Sequence, residues 1–341
     1  DRNFEFSVEH VALAKQADVV MIAPASANVI GKIAHGIADD MLTTTVMACR
    51  CKKILAPAMN TNMYENPILQ DNLDICRRYG MEVITPACGY LACGDTGAGK
   101  MPEPEVLYEY ILREAGYPGD LAGRRILVTA GPTRESIDPV RYITNHSTGK
   151  MGYAIARVAA YRGADVTLVS GPVDLARPLF VETVPVESAR EMFEAVTARS
   201  GEQDIIVKAA AVADYRPSTV GTEKIKKSDG DLSIALERTN DILAWLGQNR
   251  RDGQFLCGFS METQNMLENS RAKLAKKQID MIVANNLKVE GAGFGTDTNV
   301  VTLITRESET ELPIMSKEEV ADRLLTEILK RTKGQGGLNP A

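Results

Sequence analysis

The sequence predicts an α/β protein built from two doubly wound, Rossmann-like parallel sheets. Apolar runs rich in Val and Ile alternate with stretches of helical periodicity along all 341 residues. That alternation is typical of parallel sheets covered by helices on both faces. The length suits about two domains. A hydrophobic content of 44% and a charged content of 25% are ordinary for a globular protein.

The first block of elements predicts a flavodoxin-like layer. Periodicity predicts helices over 8–17, 28–42, 67–80 and 104–116, and strands over 19–25, 53–60 and 81–87. A glycine-rich stretch follows the third strand. Because the chain begins at Asp1 and runs almost at once into a helix and a strand, we expect this domain, 1–117, to be incomplete at its N-terminus.

The linker is predicted at 116–125, where one Pro and three Gly separate two periodic segments. A second domain, 118–333, follows. Strands are predicted over 125–131, 164–171, 204–215, 255–261 and 280–286, and helices over 149–163, 188–201, 241–250, 267–278 and 317–331. Asp229-Gly230 predicts a β-hairpin insertion within 222–239, and a second hairpin is predicted at 299–314. The tail 334–341 is predicted to be disordered.

Charge and cysteine usage exclude several classes of function. A net charge of -6 argues against a general nucleic-acid or anionic-membrane surface. No run approaches the ~18 apolar residues of a membrane span, and no signal peptide is visible. The six scattered cysteines fit reduced thiols, and the three histidines lack metal-ligand spacing. We expect a cytoplasmic protein that binds neither nucleic acid nor membrane, with any metal ligands unknown.

The stretch "GDTGAGK" at 94–100 has the spacing of a phosphate-binding loop. Met101 stands where that loop has Ser or Thr, and Pro102 and Pro104 oppose the helix that should follow. We therefore interpret Gly94, Gly97 and Gly99 as hinges of a mobile flap.

The loop after the strand at 125–131 runs about twenty residues before its helix and lacks the G-x-G-x-x-G spacing, which disfavours a dinucleotide site. It carries residues suited to carboxylate or phosphate, although a solvated loop would have a similar composition. These are Arg134, Arg141, Asn145, His146, Ser147, Thr148 and Lys150. Two lysine clusters, 224/226/227 and 273/276/277, either bind polyphosphate or form solvated faces.

Four segments of the second domain resemble the ligase half of the bifunctional phosphopantothenoylcysteine decarboxylase/phosphopantothenate-cysteine ligases of coenzyme A biosynthesis. The segments are "ILVTAGPTRESIDPVRYITNHSTGKMG", "AAAVADY", "EKIKK" and "KLAKKQIDMIVANN". The resemblance implies that the 4'-phosphopantothenate carboxylate attacks the α-phosphate of CTP, which forms an acyl-cytidylate and releases pyrophosphate. The amine of L-cysteine then displaces CMP from the acyl-cytidylate, and Mg2+ accompanies the triphosphate.

The same resemblance assigns residues to roles. Asn145 would hold the acyl-cytidylate, Arg141 would orient the acidic substrate groups, and Lys224 would stabilise charge on the triphosphate. The implied CTP pocket comprises Lys208, Ala209, Ala210, Asp214, Lys224, Asn240, Asp241, Ile242, Leu243, Phe259, Lys273 and Lys277.

The first domain resembles flavin-dependent cysteine decarboxylases through "APASAN", "PAMNTNMY" and "ACGD". The resemblance implies FMN binding around Ser26, Ala27 and Asn28. FMN would oxidise the substrate thiol to a thioaldehyde, CO2 would leave, and the enethiol would be reduced. His10 would act as acid/base group, Asn60 would bind the substrate carboxylate, and Cys93 would donate a proton. Read without the resemblance, Asn28 would cap a helix, and Met59 and Met63 would pack in a core.

Two alternatives stay open at this point. The first domain is a non-catalytic regulatory flavoprotein, or the chain is an NAD(P)-dependent oxidoreductase. The resemblance also implies homo-oligomers, with a dimer of the ligase domain and a trimer of a complete decarboxylase domain. Because the family's first strand would precede Asp1, we expect weak flavin binding by residues 1–341.

Overall fold

The computed structural model describes residues 8–91, 94–226, 232–262, 266–286, 293 and 295–332. The chain separates into two compact units, Asp1–Pro118 and Gly119–Ala341. The division falls within the stretch of Pro and Gly at 116–125. None of the helices in the described ranges has both the length and the apolar character of a membrane span.

The first unit contains a parallel three-stranded sheet. Its strands are β1 (Val19–Ala25), β2 (Lys52–Pro57) and β3 (Glu82–Val83), in the order β1-β2-β3. Ile54 and Leu55 of β2 are both fully buried, one in each of two apolar clusters. Successive strand residues point to opposite faces, so the sheet is covered on both sides, as an apolar run predicts.

The helices of the first unit are α1 (Glu9–Gln16), α2 (Ala27–Ala34), α3 (Met41–Ala48), α4 (Thr61–Tyr64), α5 (Pro67–Arg78) and α6 (Pro104–Ile111), which continues as a π-turn (Leu112–Gly116). The single helix predicted over 28–42 is wrong. Gly36, at φ 70°, follows the end of α2, and Asp40 starts α3 with a capping box in which its Oδ1 accepts from Thr43 N at 2.8 Å. Two local signals therefore outweigh the continuous apolar periodicity.

The glycine-rich stretch belongs to a β-hairpin. Strand β4 (Ala87–Tyr90) pairs antiparallel with β5 (Thr96–Lys100). The strand predicted over 81–87 is therefore wrong beyond Val83. Ala87 is the first residue of β4, which belongs to this hairpin and not to the parallel sheet.

The second unit contains an eight-stranded sheet in the order β10-β9-β6-β11-β14-β15-β16-β17. The strands are β6 (Arg125–Ala130), β9 (Asp165–Ser170), β10 (Val181–Pro185), β11 (Ile205–Lys208), β14 (Phe255–Glu262), β15 (Met281–Asn286), β16 (Thr298–Ile304) and β17 (Glu309–Ser316). The six parallel strands have the Rossmann order 3-2-1-4-5-6, with the reversal between β6 and β11. The predicted hairpin at 299–314 is confirmed as β16 and β17.

The helices of the second unit are α7 (Lys150–Tyr161), α8 (Ala189–Ser200), α9 (Ile242–Gln248), α10 (Met266–Lys276) and α11 (Lys317–Thr332). Leu127, Ile206 and Leu256 are aligned on three neighbouring strands and form one buried layer, which Ile282 of β15 joins. The predicted class of two doubly wound α/β domains is confirmed.

Two antiparallel ribbons complete the second unit. Strand β7 (Arg134–Ser136) pairs with β8 (Tyr142–Thr144), and β12 (Tyr215–Pro217) pairs with β13 (Leu236–Arg238). The sequence patterns missed the first ribbon and strand β10. The strand predicted over 204–215 is wrong beyond Lys208. The Asp229-Gly230 turn and the tail 334–341 lie outside the described residues, and the described flank 222–226 is not a strand.

Candidate functional site

The strand-order reversal of the second unit brings the loops after β6 and β11 together. Ala211 N donates to Gly131 O at 2.9 Å, and Ala213 N donates to Thr133 Oγ1 at 3.0 Å. Parallel sheets bind ligands beyond the carboxyl ends of their strands at such a reversal.

A cleft with two adjoining cavities, of about 290 Å3 and about 330 Å3, lies at this edge. The two cavities share Lys208, Val212, Asp214 and Lys277. Of the residues predicted for a CTP pocket, the first cavity is lined by Lys208, Ala209, Ala210, Asp214, Leu243, Phe259, Lys273 and Lys277. The second cavity adds Asn240, Asp241 and Ile242. Lys224 is exposed on the segment 221–226 and lines neither cavity.

Three of the five lysines that line the first cavity, namely Lys208, Lys273 and Lys277, are residues predicted for the CTP pocket. Lys208 ends β11 and donates from Nζ to Ala210 O at 2.9 Å. Burial, reinforced by the neighbouring charge of Lys277, lowers the pKa of Lys208 to about 8. Lys277 lies just beyond α10 and pairs with Asp241, which caps α9 by accepting from Ala244 N at 3.0 Å. Lys273 also lines the cleft, as its spacing from Lys277 on one helical face predicts.

The N-terminus of α7 opens into the first cavity. Gly149 is its N-cap, at φ 78°, and no side chain among residues 8–91, 94–226, 232–262, 266–286, 293 and 295–332 caps it. Ser147, Thr148 and Lys150 line the cavity beside it. A Cβ on Gly152 would lie 2.6 Å from Ala130 Cβ, so this glycine lets α7 pack closely on β6. Uncapped backbone N–H groups at a helix start suit an anionic ligand.

Asn145 lies at the edge of the same cleft. Its Nδ2 donates to Ala211 O at 3.0 Å, and Ala211 lines the first cavity. Arg134, grouped with it by sequence, points elsewhere: its guanidinium stacks on Tyr142, 4.7 Å from the ring centroid. Of these two residues from the same loop, only Asn145 therefore lies at the cleft, which their proximity in sequence did not indicate.

Arg141 is held by Asp138 and by the segment that carries Lys224. Its Nη2 donates to Asp138 Oδ2 at 2.5 Å and to Ile225 O at 3.0 Å. Asp138 is 2% exposed and was not among the predicted site residues. The segment "SIDPVR" indicated a role for Asp138, because an Asp three residues before an Arg can close a turn.

Sequence reasoning also missed the inner end of the first cavity. Asn285, Asn299 and Lys317 line it, and each is at least nine-tenths buried. Asn285 Oδ1 is buried and accepts no hydrogen bond within the described ranges. The signal was the pair Asn-Asn at the carboxyl end of β15, by the same strand-end rule that applies to Lys208.

In the first unit, three predicted residues lie at the start of one helix. Ser26 is the N-cap of α2 and accepts from Val29 N at 3.3 Å, with Ala27 and Asn28 in the first turn. The interpretation of Asn28 as the cap is therefore wrong. Met59 packs against the core, whereas Met63 is 49% exposed, so only one methionine fits the core interpretation. His10 lies on α1 and is half-buried.

Asn60 is tied to the β4–β5 hairpin. Its Nδ2 donates to Asp95 Oδ2 at 2.8 Å, and Met59 N donates to Gly99 O at 2.9 Å. A Cβ on Gly99 would lie 2.1 Å from Met59 O, and one on Gly97 would lie 2.4 Å from Thr61 Oγ1. Close packing on the Asn60 segment thus explains these two glycines better than hinge motion does.

Cys93 lies outside the described residues, whereas Leu91, Gly94 and Asp95 are described. Leu91 N donates to Asp95 O at 2.8 Å, and Gly94 N donates to Leu91 O at 2.9 Å. Lys100 pairs with Glu103 at 2.7 Å. In the described ranges, no group of three or more His, Cys, Asp or Glu residues could hold a metal ion.

The two units match two family models that define the class of protein. Residues 1–116 match the model described as Flavoprotein, and residues 121–332 match the DNA/pantothenate metabolism flavoprotein C-terminal domain. The class is therefore a flavoprotein domain joined to a pantothenate-metabolism domain.

Similar proteins identify the family within this class. The chain is 48% identical over 335 residues to the coenzyme A biosynthesis bifunctional protein CoaBC of Bacillus subtilis, covering 96% of this chain and 82% of the relative. It is 44% identical to a cysteine/cysteine sulfinic acid decarboxylase of an unknown prokaryotic organism, covering 94% and 91%. The crystal structure of a CoaBC C-terminal domain matches at 47% identity with a TM-score of 0.56, covering 64% of this chain and all of that one.

The chain belongs to the family of bifunctional coenzyme A biosynthesis proteins. It is an enzyme of coenzyme A biosynthesis with the decarboxylase and ligase activities of that family. The predicted resemblance is confirmed, and neither the oxidoreductase nor the purely regulatory alternative is needed.

Proposed function

We propose that the second unit joins 4'-phosphopantothenate to L-cysteine at the expense of CTP, through an acyl-cytidylate. The observation that carries this proposal is the cleft at the strand-order reversal, where Lys208, Lys273 and Lys277 face the uncapped start of α7. The positive potential of these lysines and of the helix start suits a triphosphate.

Within this proposal, the nucleotide occupies the two adjoining cavities. Asn240 to Leu243 and Phe259 contact the nucleoside, and the lysines contact the phosphates. Asn285 Oδ1, which accepts no hydrogen bond from the described residues, suits a ligand N–H or O–H group at the inner end. Asn145 holds the acyl-cytidylate beside Ala211, and Arg141 orients the acidic substrate groups. Lys224 stabilises the charge that develops on the triphosphate.

Mg2+ fits this site as the partner of the triphosphate. The described residues contain no cage of acidic ligands, and magnesium commonly keeps its waters and binds through substrate phosphates with one or two carboxylates. Asp214 lines both cavities and would supply such a carboxylate.

We propose that the first unit decarboxylates 4'-phosphopantothenoylcysteine with FMN. The exposed Ser26 and Asn28 at the start of α2, beyond the carboxyl end of β1, fit the cofactor phosphate or its ribityl hydroxyls. Bound FMN supplies a two-electron acceptor and donor. His10 moves a proton at the imidazole, Asn60 binds the substrate carboxylate, and Cys93 donates a proton from its thiol.

A second substrate class is favoured by one observation. The relative named cysteine/cysteine sulfinic acid decarboxylase is about as similar to this chain as the coenzyme A proteins are. Free cysteine lacks the phosphopantothenoyl group but has the same carboxylate, which Asn60 would bind. Comparing CO2 release from the two substrates decides between them.

Exposed apolar surfaces support homo-oligomers. On the two ribbons of the second unit, Val140, Tyr142, Val220 and Leu236 are each at least 47% exposed, which suits a ligase dimer. On α3 of the first unit, Met41, Leu42 and Met47 are exposed, which suits the trimer of decarboxylase domains. We place the enzyme in the cytoplasm, where thiols stay reduced.

One assay tests the ligase proposal. The protein is mixed with 4'-phosphopantothenate, L-cysteine, Mg2+ and each nucleoside triphosphate in turn, and pyrophosphate release is measured. We expect release with CTP that requires phosphopantothenate. Release that is independent of the nucleotide's base, or absent, contradicts the proposal.

A further inference from the structure

The carboxylate of Asp138 connects two segments that lie far apart in sequence. It accepts from Val140 N and Arg141 N, both at 2.9 Å, within the turn between β7 and β8. It also accepts from Arg141 Nε at 3.0 Å and Nη2 at 2.5 Å, and from Ile225 N at 3.1 Å. Its side chain is fully buried, although that of Arg141 is 42% exposed.

The connected segments carry two of the groups proposed for catalysis, Arg141 and Lys224. Ile225 O accepts from Arg141 Nη2 at 3.0 Å, and Gly221 N donates to Ile137 O at 2.9 Å. The segment 221–226 is therefore fastened to the β7–β8 turn at three points. In the described ranges, Arg141 Nη1 donates no hydrogen bond, so it can meet an acidic substrate group.

Two of the five bonds to Asp138 serve only the local turn. The other three join a buried anion to a guanidinium and to a distant backbone N–H, and charge-assisted bonds of this kind are strong and directional. The Arg141 guanidinium also holds the pKa of Asp138 well below its usual range, so the carboxylate is charged throughout the working range of pH.

We propose that Asp138 is a positioning residue of the ligase reaction, which fixes the direction of the Arg141 guanidinium and holds the Lys224 segment beside it. Both groups then have their geometry before substrate binds, as electrostatic catalysis requires. The inference rests on the proposed roles of Arg141 and Lys224.

The first test is Asp138→Asn in the full chain. Asn keeps the turn bonds through Oδ1, but its NH2 group cannot accept from Arg141 or Ile225. We expect kcat/KM for CTP-dependent pyrophosphate release to fall about 10²-fold, and Tm to fall as well, because three donors lose a buried acceptor. The matched control is Asp120→Asn, which removes a carboxylate from another arginine, Arg162, outside the cleft. It should lower Tm and leave kcat/KM unchanged.

A double-mutant cycle separates positioning from a structural role. If Asp138 acts through Arg141, adding Asp138→Asn to Arg141→Gln costs much less than adding it to the wild type. Independent multiplicative losses, or wild-type rates in Asp138→Asn, overturn the inference.

A second variant covers the case in which Asp138→Asn does not fold. A Cβ on Gly221 would lie 3.1 Å from Glu223 O and 3.5 Å from Asp138 Cβ, so Gly221→Ala shifts the segment without touching the carboxylate. We expect a loss of kcat in this variant also, and unchanged kcat overturns the inference. Failure of the wild type to release pyrophosphate with CTP is distinguishable, because it removes the proposed function itself.

Discussion

The two units bring their candidate catalytic residues together by different means. In the second unit, the residues follow the ends of neighbouring strands of one eight-stranded sheet, and the strand order alone collects them around a cleft. In the first unit, Asn60 is placed by a hairpin whose glycines let two backbones approach. We therefore expect the position of the cleft to tolerate changes in any one loop. The position of Asn60 should be more sensitive, because it depends on close contacts between single atoms of the hairpin and the Asn60 segment.

The largest expected effect tests how much one buried ion cluster contributes to the stability of the second unit. Arg162, at the end of α7, is 1% exposed, and its guanidinium is hydrogen-bonded to Asp120, Asp322 and Thr326. Arg162→Ala removes this buried cation, and we expect a loss of about 3 kcal/mol of unfolding free energy. Denaturant unfolding followed at Trp245 measures it.

Arg157→Ala is the control, because Arg157 is also on α7 and also pairs with α11, through Glu318. That pair is partly exposed, so the loss should be below about 1 kcal/mol. Equal losses in the two variants would contradict the distinction between a buried and a surface pair.

The next effect tests whether the two activities are separable. Lys224→Gln removes the proposed charge beside the triphosphate, and we expect the rate of pyrophosphate release to fall about 10²-fold or more. CO2 release from 4'-phosphopantothenoylcysteine should not change. Lys226→Gln, on the same exposed segment, is the control and should retain both activities. A parallel loss of both activities in Lys224→Gln would show that the units are coupled.

A smaller effect tests the atom-by-atom fit of the first unit. Gly99 has φ 131°, and its added Cβ would collide with Met59 O. Gly99→Ala should displace the hairpin from Asn60 and lower CO2 release about tenfold. Gly80→Ala is the control, because Gly80 has φ 81° but no atom within 4 Å of the added Cβ. Equal losses of CO2 release in the two variants would attribute the effect to backbone strain at a positive φ and not to contact with the Asn60 segment.

The smallest effect concerns protons. Lys208 has a pKa of about 8 in the folded protein, against 10.5 for an ordinary lysine. Between these values the unfolded chain binds more protons, so the unfolding free energy rises with pH across that window; below pH 8 the buried cation destabilises the fold fully. A bound triphosphate raises this pKa, so nucleotide binding at pH 8.5 should take up a fraction of a proton.

Calorimetry in two buffers of different ionisation enthalpy measures that uptake. Lys208→Met should abolish the uptake and flatten the rise of stability between pH 8 and 10.5. Equal uptake by Lys208→Met and the wild type would assign the proton to another group.

Local patterns gave most of the elements but not every boundary. Apolar periodicity located the strands around Ile54, Leu127 and Ile282 because burial on both faces demands continuous apolar runs. It failed where a cap or a glycine interrupts a periodic stretch, as at Asp40. It also failed for short ribbons such as β7–β8, whose three-residue strands are too brief for a period.

The sequence by itself determined the class of fold, the family resemblance and many of the residues that line the cleft, because strand ends and motif spacing are properties of the chain. Only the tertiary structure decided which residues meet. It separated Arg134 from Asn145 and joined Asp138 to Ile225 across 87 positions. It also left Asn285 Oδ1 without a hydrogen bond from the part of the chain that the structure describes. Hydrogen bonds between distant segments depend on distances that no local pattern encodes, so they appear only once the sheet is assembled.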